Sequence, residues 1–215
     1  MFSLIVFDLD GTLVDSRRDI AESANVLLET CGAHVLPEET IGRMVGNGAA
    51  TLVARAFAAA GVEPPPDALD RFLAIYDGRL LKHTRPYPQM LDVLEALSAR
   101  ARLAVLTNKP LAATRGILAG LDLARFFDRK AIVGGDGPYA RKPDPAGLLY
   151  LASQAGVPPS ATLLVGDSRV DWQAARNAST AICLARYGFG FEGFPEDELG
   201  PDDRTITEPR DLLRL

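Results

Sequence analysis

Three carboxylates lie close together near the amino end of the chain, in the stretch FDLDGTLVD. They are Asp8, Asp10 and Asp15, and the first two directly follow a short apolar run that ends at Phe7. Like charges repel at short range, and burial of an unpaired carboxylate costs free energy that a strand end does not recover. The spacing therefore predicts that a cation binds at this position.

Polar residues also follow three later apolar runs. They are Thr107, Asn108 and Lys109 after the second run, residues 134–136 after the third, and Asp167, Ser168 and Asp171 after the fourth, with Lys142 in a loop before a predicted helix. Each short segment alone has an ordinary alternative as a solvated turn, a helix cap or a surface loop. Their occurrence together, each after an apolar run, favours one polar site built from several segments.

The elements that would position these residues follow from changes in the hydrophobic period. The run at residues 4–7 predicts a fully buried parallel strand. Later predicted strands cover residues 103–106, 131–133, 162–165 and 181–184, and they alternate with predicted helices at 90–99, 110–121, 145–155 and 171–178. Residues 202–215 predict a short strand and a closing helix. This alternation predicts an α/β fold with a doubly wound, mostly parallel sheet, which binds ligands beyond the carboxyl ends of its strands.

A helical block interrupts this pattern after the first strand. Helical periodicity begins at residue 16 and ends at Gly32, and further helices are predicted at 37–45, 49–60 and 67–81, with no strand pattern between them. Because the block follows the first strand directly, it is placed to cover the carboxyl edge of the sheet. We predict a catalytic core domain of residues 1–15 and 86–215 and a helical cap domain of residues 16–85.

Composition limits the classes of function. The 215 residues are 47% hydrophobic and 24% charged, which is typical of a globular protein. The net charge of -5 argues against a nucleic-acid partner or an acidic membrane surface. No apolar run approaches the roughly 20 residues that cross a bilayer, and the amino terminus lacks the pattern of a signal peptide. We expect a cytoplasmic protein that is a monomer or a homodimer.

Four stretches resemble the sequence motifs of the haloacid dehalogenase superfamily: DLDGTLVDS, LTNKP, RKPDP and VGDSRVDWQAA. The resemblance covers essentially the whole chain, including a helical cap after the first motif. Within the superfamily the chain is most similar to phosphoglycolate phosphatases, which GNGAATLVARAF and GGDGPYARKPDPAGLLYLASQAGV also resemble. The resemblance implies a Rossmann-like core and a magnesium-dependent phosphatase that acts on a small phosphorylated metabolite through a phosphoaspartate.

The resemblance also implies a role for each motif residue. Asp8 would be the nucleophile, and Asp10 would be the general acid and base. The phosphate would be bound by Thr107, Asn108 and Lys142, and Mg²⁺ by Asp8, Asp167 and the backbone carbonyl of Asp10, with Asp171 supporting metal-bound water.

Physical chemistry agrees with these roles. A carboxylate and a phosphate dianion repel each other, so a cation must neutralise charge where they meet. Magnesium prefers oxygen ligands and keeps some of its waters, which suits a site with few carboxylates. Both histidines, His34 and His83, lie in the predicted cap without the spacing of zinc ligands.

The substrate implied by the resemblance is 2-phosphoglycolate, whose carboxylate needs recognition apart from the phosphate. Candidates are Arg43, the loop with Asn47 and Gly48, and Lys109 at the rim of the core. The alternative is that this loop is only a tight turn between cap helices and that Arg43 is solvated.

Other functions stay open. A β-phosphoglucomutase-like mutase or a pyrophosphatase would use the same pair of aspartates, although such mutases usually carry a Ser-Ala-Ser-like second motif and this chain has Thr107-Asn108-Lys109. A non-enzymatic protein that binds a phosphorylated ligand is a further alternative, against which the presence of both Asp8 and Asp10 counts. A dehalogenase is disfavoured because its reaction needs no metal.

Overall fold

The computed structural model describes residues 2–215, which form eight β-strands and eight α-helices. The strands are β1 Leu4–Phe7, β2 Val14–Asp15, β3 Arg85–Pro86, β4 Arg102–Leu106, β5 Ile132–Val133, β6 Thr162–Gly166, β7 Ala181–Ala185 and β8 Arg204–Ile206. The α-helices are α1 Arg17–Thr30, α2 Glu38–Gly42, α3 Ala49–Ala60, α4 Ala68–Asp77, α5 Met90–Ser98, α6 Leu111–Gly120, α7 Ala146–Gln154 and α8 Arg169–Ala178. Short 3-10 helices include the last one, Pro209–Arg214, where the sequence predicts a closing helix.

Six strands form one parallel sheet in the order β5-β4-β1-β6-β7-β8. The first strand lies in the middle, where Phe7 pairs with Val105 of β4 on one side and with Val165 of β6 on the other. From β1 the strand order runs to β4 and β5 on one side and to β6, β7 and β8 on the other. Doubly wound sheets bind ligands at such a switch point. The predicted doubly wound α/β fold is confirmed.

Both faces of the sheet are buried. Ile5 and Phe7 pack with Met90, Leu94 and Ile117, which come from α5 and α6. The alternating residues Leu4 and Val6 pack on the opposite face against a second cluster, which contains Leu148, Leu151, Ala174 and Ala175 from α7 and α8. Because side chains alternate along a strand, a run of four apolar residues fills both layers. This burial fixes the carboxyl ends of β1, β4 and β6 in one row.

Helices α1 to α4 share a third hydrophobic cluster. Its fully buried members include Leu28, Ile41 and Phe57, at 0% exposure, with Phe72 and Tyr76 of α4 packed beside them. The cluster is distinct from the two that cover the sheet. None of the helices among residues 2–215 has the length and apolar character needed to cross a membrane.

A small ribbon joins the helical block to the sheet. Val14 of β2 pairs with Pro86 of β3 in an antiparallel arrangement. Nearby, buried Asp19 at the start of α1 accepts hydrogen bonds of 2.8 Å from the backbone of His83 and from the amide and hydroxyl of Thr84. The two chain segments that connect the helical block to the sheet are therefore held together. Neither strand of the ribbon was predicted from the sequence, because a two-residue strand is too short to show a hydrophobic period.

Helix ends differ from the predicted ones where capping residues intervene. The segment predicted at 37–45 is helical only over Glu38–Gly42, and the chain then turns through Gly46 and Gly48, whose φ angles are +112° and +89°. These φ values are far from helical ones and favour glycine. Helix α8 begins at Arg169, before the predicted residue 171, because Ser168 caps it by accepting from the Asp171 amide.

Candidate active site

A cavity of about 290 Å³ lies between the carboxyl ends of the central strands and helices α1, α3 and α4. On the sheet side it is lined by Asp8 and Asp10 after β1, by Thr107, Asn108 and Lys109 after β4, and by Asp167 and Ser168 after β6. The structure thus brings together polar residues that lie more than 150 positions apart. Two further predicted residues, Lys142 and Asp171, are buried at 4% and 0% exposure and contact Asp8 or each other.

Three carboxylates form a buried acidic cluster in this wall. Asp8, Asp167 and Asp171 each place one carboxylate oxygen within 4.8 Å of the others, and their exposed fractions are 7%, 2% and 0%. The cation among them is Lys142, whose Nζ lies 2.9 Å from Asp8 Oδ1 and 2.6 Å from Asp171 Oδ1. Three carboxylates and one ammonium leave an excess of two negative charges when all are ionised. A divalent cation would balance that excess.

Burial controls the protonation of the cluster. It raises the pKa of Asp8 to about 6, with Lys142 acting in the opposite direction and Asp171 adding to the rise. The pKa of Asp167 is raised well above its usual value by burial and by the same neighbouring carboxylates. Burial alone would lower the pKa of Lys142, but Asp171 and Asp8 outweigh it and the net shift is upward. The ammonium therefore stays charged, whereas the raised pKa values of Asp8 and Asp167 favour their protonated forms, whose protons a bound metal would displace.

The free oxygens of the cluster fit a hard divalent metal. Asp8 Oδ1 is buried, and its close polar neighbour is the Lys142 ammonium at 2.9 Å, an ion pair without the alignment of a hydrogen bond. Asp167 uses Oδ2 to accept from the Gly190 amide at 2.7 Å. An all-oxygen set of buried carboxylates with an unsatisfied atom suits Mg²⁺ or Ca²⁺ rather than zinc.

Asp171 differs from the other two members because both its oxygens are already engaged. Oδ1 accepts from Lys142, and Oδ2 accepts from the Ser168 hydroxyl at 2.6 Å and from the Ser168 amide at 3.1 Å. This arrangement completes a capping box at the start of α8. Asp171 is therefore placed to hold Lys142, and its predicted support of metal-bound water stays a prediction.

The Asp10 carboxylate faces different partners. Lys109 Nζ donates to both its oxygens, at 2.8 and 3.0 Å, and the Ser16 hydroxyl donates to Oδ1 at 2.5 Å. The turn that separates it from Asp8 passes through Gly11, at φ +84°, where a side chain would collide with Asp167 Oδ2. Glycine is thus required there, and the turn lets the two aspartates act at different points.

Lys109 occupies a more specific position than the rim site predicted from the sequence. It is 8% exposed, and Tyr76 of α4 lies against it, with the ammonium 4.5 Å from the centre of the ring. Burial tends to lower the pKa of Lys109, but the Asp10 carboxylate outweighs that effect and raises it. Lys109 therefore remains an ammonium that holds Asp10.

The two other residues of this segment also have defined surroundings. Thr107 is 3% exposed, lines the cavity, and its Oγ1 accepts from the Lys109 amide at 3.2 Å. Asn108 donates from Nδ2 to the carbonyl of Gly46 at 2.8 Å and to that of Lys142 at 2.9 Å. Asn108 thus links the loop of the helical block to the core, and its predicted contact with phosphate stays a prediction.

The residues of the helical block that were predicted to recognise the substrate differ in their positions relative to the cavity. Gly46 and Gly48 line the cavity, whereas Asn47 is half-buried outside its lining. Arg43 is exposed and forms an ion pair with Glu192 at 3.3 Å, away from the cavity lining. This placement gives Arg43 no contact with the site, because its guanidinium is already paired at the surface. The substrate roles of these residues stay predictions.

One segment of the site was not identified from the sequence. After β7 the chain returns over the cluster, so that the Gly190 amide reaches Asp167 and Phe189 lines the cavity. A side chain at Gly188 would collide with the Gly11 carbonyl and with Asp167. The Gly-Phe-Gly sequence shortly after a buried strand is the signal that could have indicated this close approach.

Replacement of Lys142 by Met is expected to lower the free energy of unfolding by about 3 kcal/mol in the absence of metal, because it leaves buried carboxylates without a counter-charge. Millimolar Mg²⁺ should restore part of the loss. Denaturant unfolding with and without Mg²⁺ measures both effects, and Lys82→Met, at an exposed position, is the control. The Lys142→Arg variant keeps the positive charge but should not regain the full activity of wild type, since a planar guanidinium does not replace a compact ammonium. Equal stability of Lys142→Met and wild type would contradict this account of the cluster.

The metal-free protein is expected to become less stable as the pH rises from 5 to 7. The folded-state pKa of Asp8 is raised to about 6 from its usual 3.8, so the folded chain holds a proton that the unfolded chain has lost. In that window the folded state binds more protons, and the contribution of Asp8 falls by about 1 kcal/mol as pH rises. Denaturant unfolding in the presence of a chelator, carried out across this pH range, measures the change in the free energy of unfolding. The Asp8→Asn variant should show a smaller pH dependence, and an unchanged dependence would contradict the assignment.

Comparisons with known proteins agree with this geometry. The chain matches the family of haloacid dehalogenase-like hydrolases over residues 5–185. A phosphoglycolate phosphatase from Rhodospirillum rubrum is 42% identical over 198 residues, which cover 87% of this chain and 81% of that protein. Phosphoglycolate phosphatase 1 from Pseudomonas aeruginosa is 38% identical over an alignment of 218 positions, which covers 98% of this chain and 78% of that protein.

A solved structure is similar over nearly the whole chain. The crystal structure of a protein from Haemophilus somnus, described as a predicted phosphoglycolate phosphatase, superposes with a TM-score of 0.91 at 33% identity. The match covers 99% of this chain and 97% of that one. The similarity therefore includes both the sheet and the helical block.

Proposed function

Because this chain belongs to the haloacid dehalogenase-like hydrolases, as a phosphatase of the phosphoglycolate phosphatase-like subgroup, we propose that it is a Mg²⁺-dependent phosphomonoesterase whose nucleophile is Asp8. The observation that carries the proposal is the separation of the two aspartates of one turn. Asp8 lies in the acidic cluster with Lys142, and Asp10 is held apart by Lys109 and Ser16. This separation supports the assignment of Asp8 to the metal site and of Asp10 to proton transfer.

The metal would be held by Asp8 and Asp167, with the backbone carbonyl of Asp10 as the further protein ligand. When bound, Mg²⁺ would neutralise the negative charge that otherwise keeps a carboxylate from a phosphate. Asp171 and Lys142 would support these ligands from behind. The unsatisfied Asp8 Oδ1 and the excess of negative charge support this assignment.

In the first half-reaction, an oxygen of Asp8 forms a bond to phosphorus while the bond from phosphorus to the leaving oxygen breaks. Asp10 donates its proton to that oxygen, so the product leaves as a neutral alcohol. Thr107, Lys142 and the backbone amides at the start of α6 supply hydrogen-bond donors to the phosphoryl oxygens. The enzyme is left with a phosphoaspartate at Asp8 and an ionised Asp10.

In the second half-reaction, the ionised Asp10 takes a proton from water as the water oxygen attacks phosphorus. The bond between phosphorus and Asp8 breaks, phosphate is released, and both aspartates return to their first state. Lys109 and Ser16 hold the ionised Asp10 carboxylate in place between the two steps, which supports its use as the base in the second step.

We propose that residues 16–85 act as a cap over a core formed by residues 1–15 and 86–215. The separate hydrophobic cluster of α1 to α4 supports this division, as does the ribbon of β2 and β3 at its base. The hydrogen bond from Asn108 to the Gly46 carbonyl couples cap and core beside the cavity. A cap that closes there would shield the first half-reaction from bulk water, and its opening would admit the water of the second.

The proposed substrate is a small phosphorylated metabolite, with 2-phosphoglycolate as the first candidate because relatives at 38% to 42% identity carry that activity in their names. Phosphate release from a panel of phosphate esters, with Mg²⁺ and with a chelator, tests the proposal. Release from 2-phosphoglycolate that stops in the chelator is the expected result. Isomerisation of a sugar phosphate without phosphate release would indicate a mutase, and binding without turnover would indicate a phospho-ligand binder.

A further inference from the structure

Three cationic residues that the sequence predicts for the site are already paired with carboxylates. Lys142 and Lys109 form buried ion pairs with aspartates of the site, at distances of 2.6 to 2.9 Å. Arg43 is paired with Glu192 at the surface. A second anionic group on the substrate, beyond the phosphate, would therefore have to compete with one of these carboxylates or find another cation.

Arg141 is a cation in different surroundings. It directly precedes Lys142 and is exposed, and among residues 2–215 no carboxylate lies within salt-bridge distance of its guanidinium. Its Nε donates to the Gly135 carbonyl at 2.7 Å, whereas its two terminal nitrogens donate to no residue that the structure describes. A guanidinium held at Nε keeps two N–H groups side by side, which fit the two oxygens of a carboxylate.

The carbonyl that anchors Arg141 belongs to a fixed part of the core. The Gly135 amide donates to the Lys109 carbonyl at 2.8 Å, and a side chain at Gly135 would collide with the backbone of Asn108. Gly135 thus packs directly on the segment after β4 that lines the cavity. The contact at Nε orients the guanidinium before any ligand binds, which lowers the cost of ordering this long side chain.

On its other side, the guanidinium lies against the helical block. A Cβ atom at Gly48 would lie 2.9 Å from Nη1 of Arg141 and 3.2 Å from its Cζ, so a side chain there would displace the guanidinium. Gly46 and Gly48 line the cavity, and Asn108 joins the carbonyl of Gly46 to that of Lys142, the neighbour of Arg141 in the chain. Arg141 therefore lies at the margin of the cavity, where the helical block meets the core.

We propose that Arg141 is a specificity-determining residue, whose guanidinium binds an anionic group that the substrate carries in addition to its phosphate. The proposal rests on the phosphomonoesterase function proposed above and specifies how that site recognises its substrate. In 2-phosphoglycolate this group is the carboxylate. The phosphate would lie at Asp8 and Thr107, and the carboxylate would be directed toward Gly48, between the cap and the core.

The ratio of kcat/KM for 2-phosphoglycolate to that for ethyl phosphate isolates this contact. Both esters have two carbons and one phosphate, but ethyl phosphate has no carboxylate. Arg141→Met removes the charge and should lower the ratio about tenfold, a loss between that of an exposed ion pair and that of a buried charged hydrogen bond. Arg141→Lys should restore part of the ratio, since an ammonium keeps the charge without the paired N–H groups.

Arg129→Met is the matched control. Arg129 is also exposed, and it lies shortly before β5, at the end of that strand opposite to the site. This variant should keep the wild-type ratio. Added salt gives a second readout, because it screens an exposed charge. An increase in ionic strength from about 0.05 to about 0.5 M should lower the ratio in wild type and much less in Arg141→Met.

The possible failures are distinct. An unchanged ratio in Arg141→Met, or a loss that is equal for the two esters, would overturn the inference while leaving the phosphatase intact. A ratio that falls equally in Arg129→Met would also overturn it. If wild-type protein releases phosphate from neither ester in the presence of Mg²⁺, the proposed function itself fails.

Discussion

The Asp8→Asn variant is expected to lose phosphatase activity by a factor on the order of 10⁶, the size of effect seen when a covalent nucleophile is removed. An amide is a poor nucleophile, and the substitution also removes a carboxylate from the acidic cluster around Lys142. Steady-state phosphate release from 2-phosphoglycolate and from p-nitrophenyl phosphate, with saturating Mg²⁺, measures the loss. No phosphoenzyme should form in this variant.

Asp15→Asn is the matched control for this experiment. Asp15 lies in β2, directly after the same turn, but it is outside the cavity lining, and its carboxylate accepts from the Arg17 amide at 3.1 Å. We expect kcat/KM close to that of wild type for this variant. Substantial turnover by purified Asp8→Asn protein, or equal losses in the two variants, would contradict a covalent route through Asp8.

The Asp10→Asn variant is expected to slow turnover by about 10²- to 10⁴-fold, the usual contribution of a general acid or base. The loss should depend on the leaving group. An alkyl phosphate needs a proton from Asp10 as its alcohol departs, whereas p-nitrophenolate leaves without one. With p-nitrophenyl phosphate the first step should therefore survive and the second should stall, giving a burst of nitrophenolate equal to the enzyme present.

Variants of the residues that hold Asp10 provide the control. Ser16→Ala removes the hydroxyl 2.5 Å from Asp10 Oδ1 but leaves the carboxylate, so its effect should be smaller and show no burst. Rapid-quench kinetics distinguishes the two outcomes. If Asp10→Asn lowers the rates for alkyl and aryl esters equally and shows no burst, Asp10 does not act in both half-reactions.

Much of the fold was predictable because local patterns and burial agree in the core. The strand at Leu4–Phe7 and the helix at Ala49–Ala60 have the predicted bounds, since a fully apolar run and a strong helical period are set by nearby residues. The position of the site followed from one general property, the convergence of strand ends in a parallel sheet. Of the three carboxylates that the sequence brings close together in the first motif, only Asp8 belongs to the buried acidic cluster, because Asp10 pairs with Lys109 and Asp15 lies outside the cavity lining.

The remaining features depend on contacts between distant segments. Lys109 and Asp10 lie 99 positions apart, so only the folded chain reveals that this lysine holds the proposed acid. The amide of Gly190 reaches Asp167 across 23 positions and a whole strand. The apolar part of the cavity lining was not predicted for the same reason: helix periodicity identifies buried side chains such as Phe72 but does not tell which of them border a cavity.

The most direct test of the account is identification of the phosphorylated residue. Wild-type protein and the Asp10→Asn variant would be mixed with substrate and Mg²⁺, quenched in acid during the burst, digested and analysed by mass spectrometry, with borohydride reduction to mark an acyl phosphate. The account predicts one phosphoryl group on the peptide that contains Asp8, reduced to homoserine at position 8, and more of it in the variant. A phosphoryl group on another residue, or none in a variant that shows the burst, would contradict it.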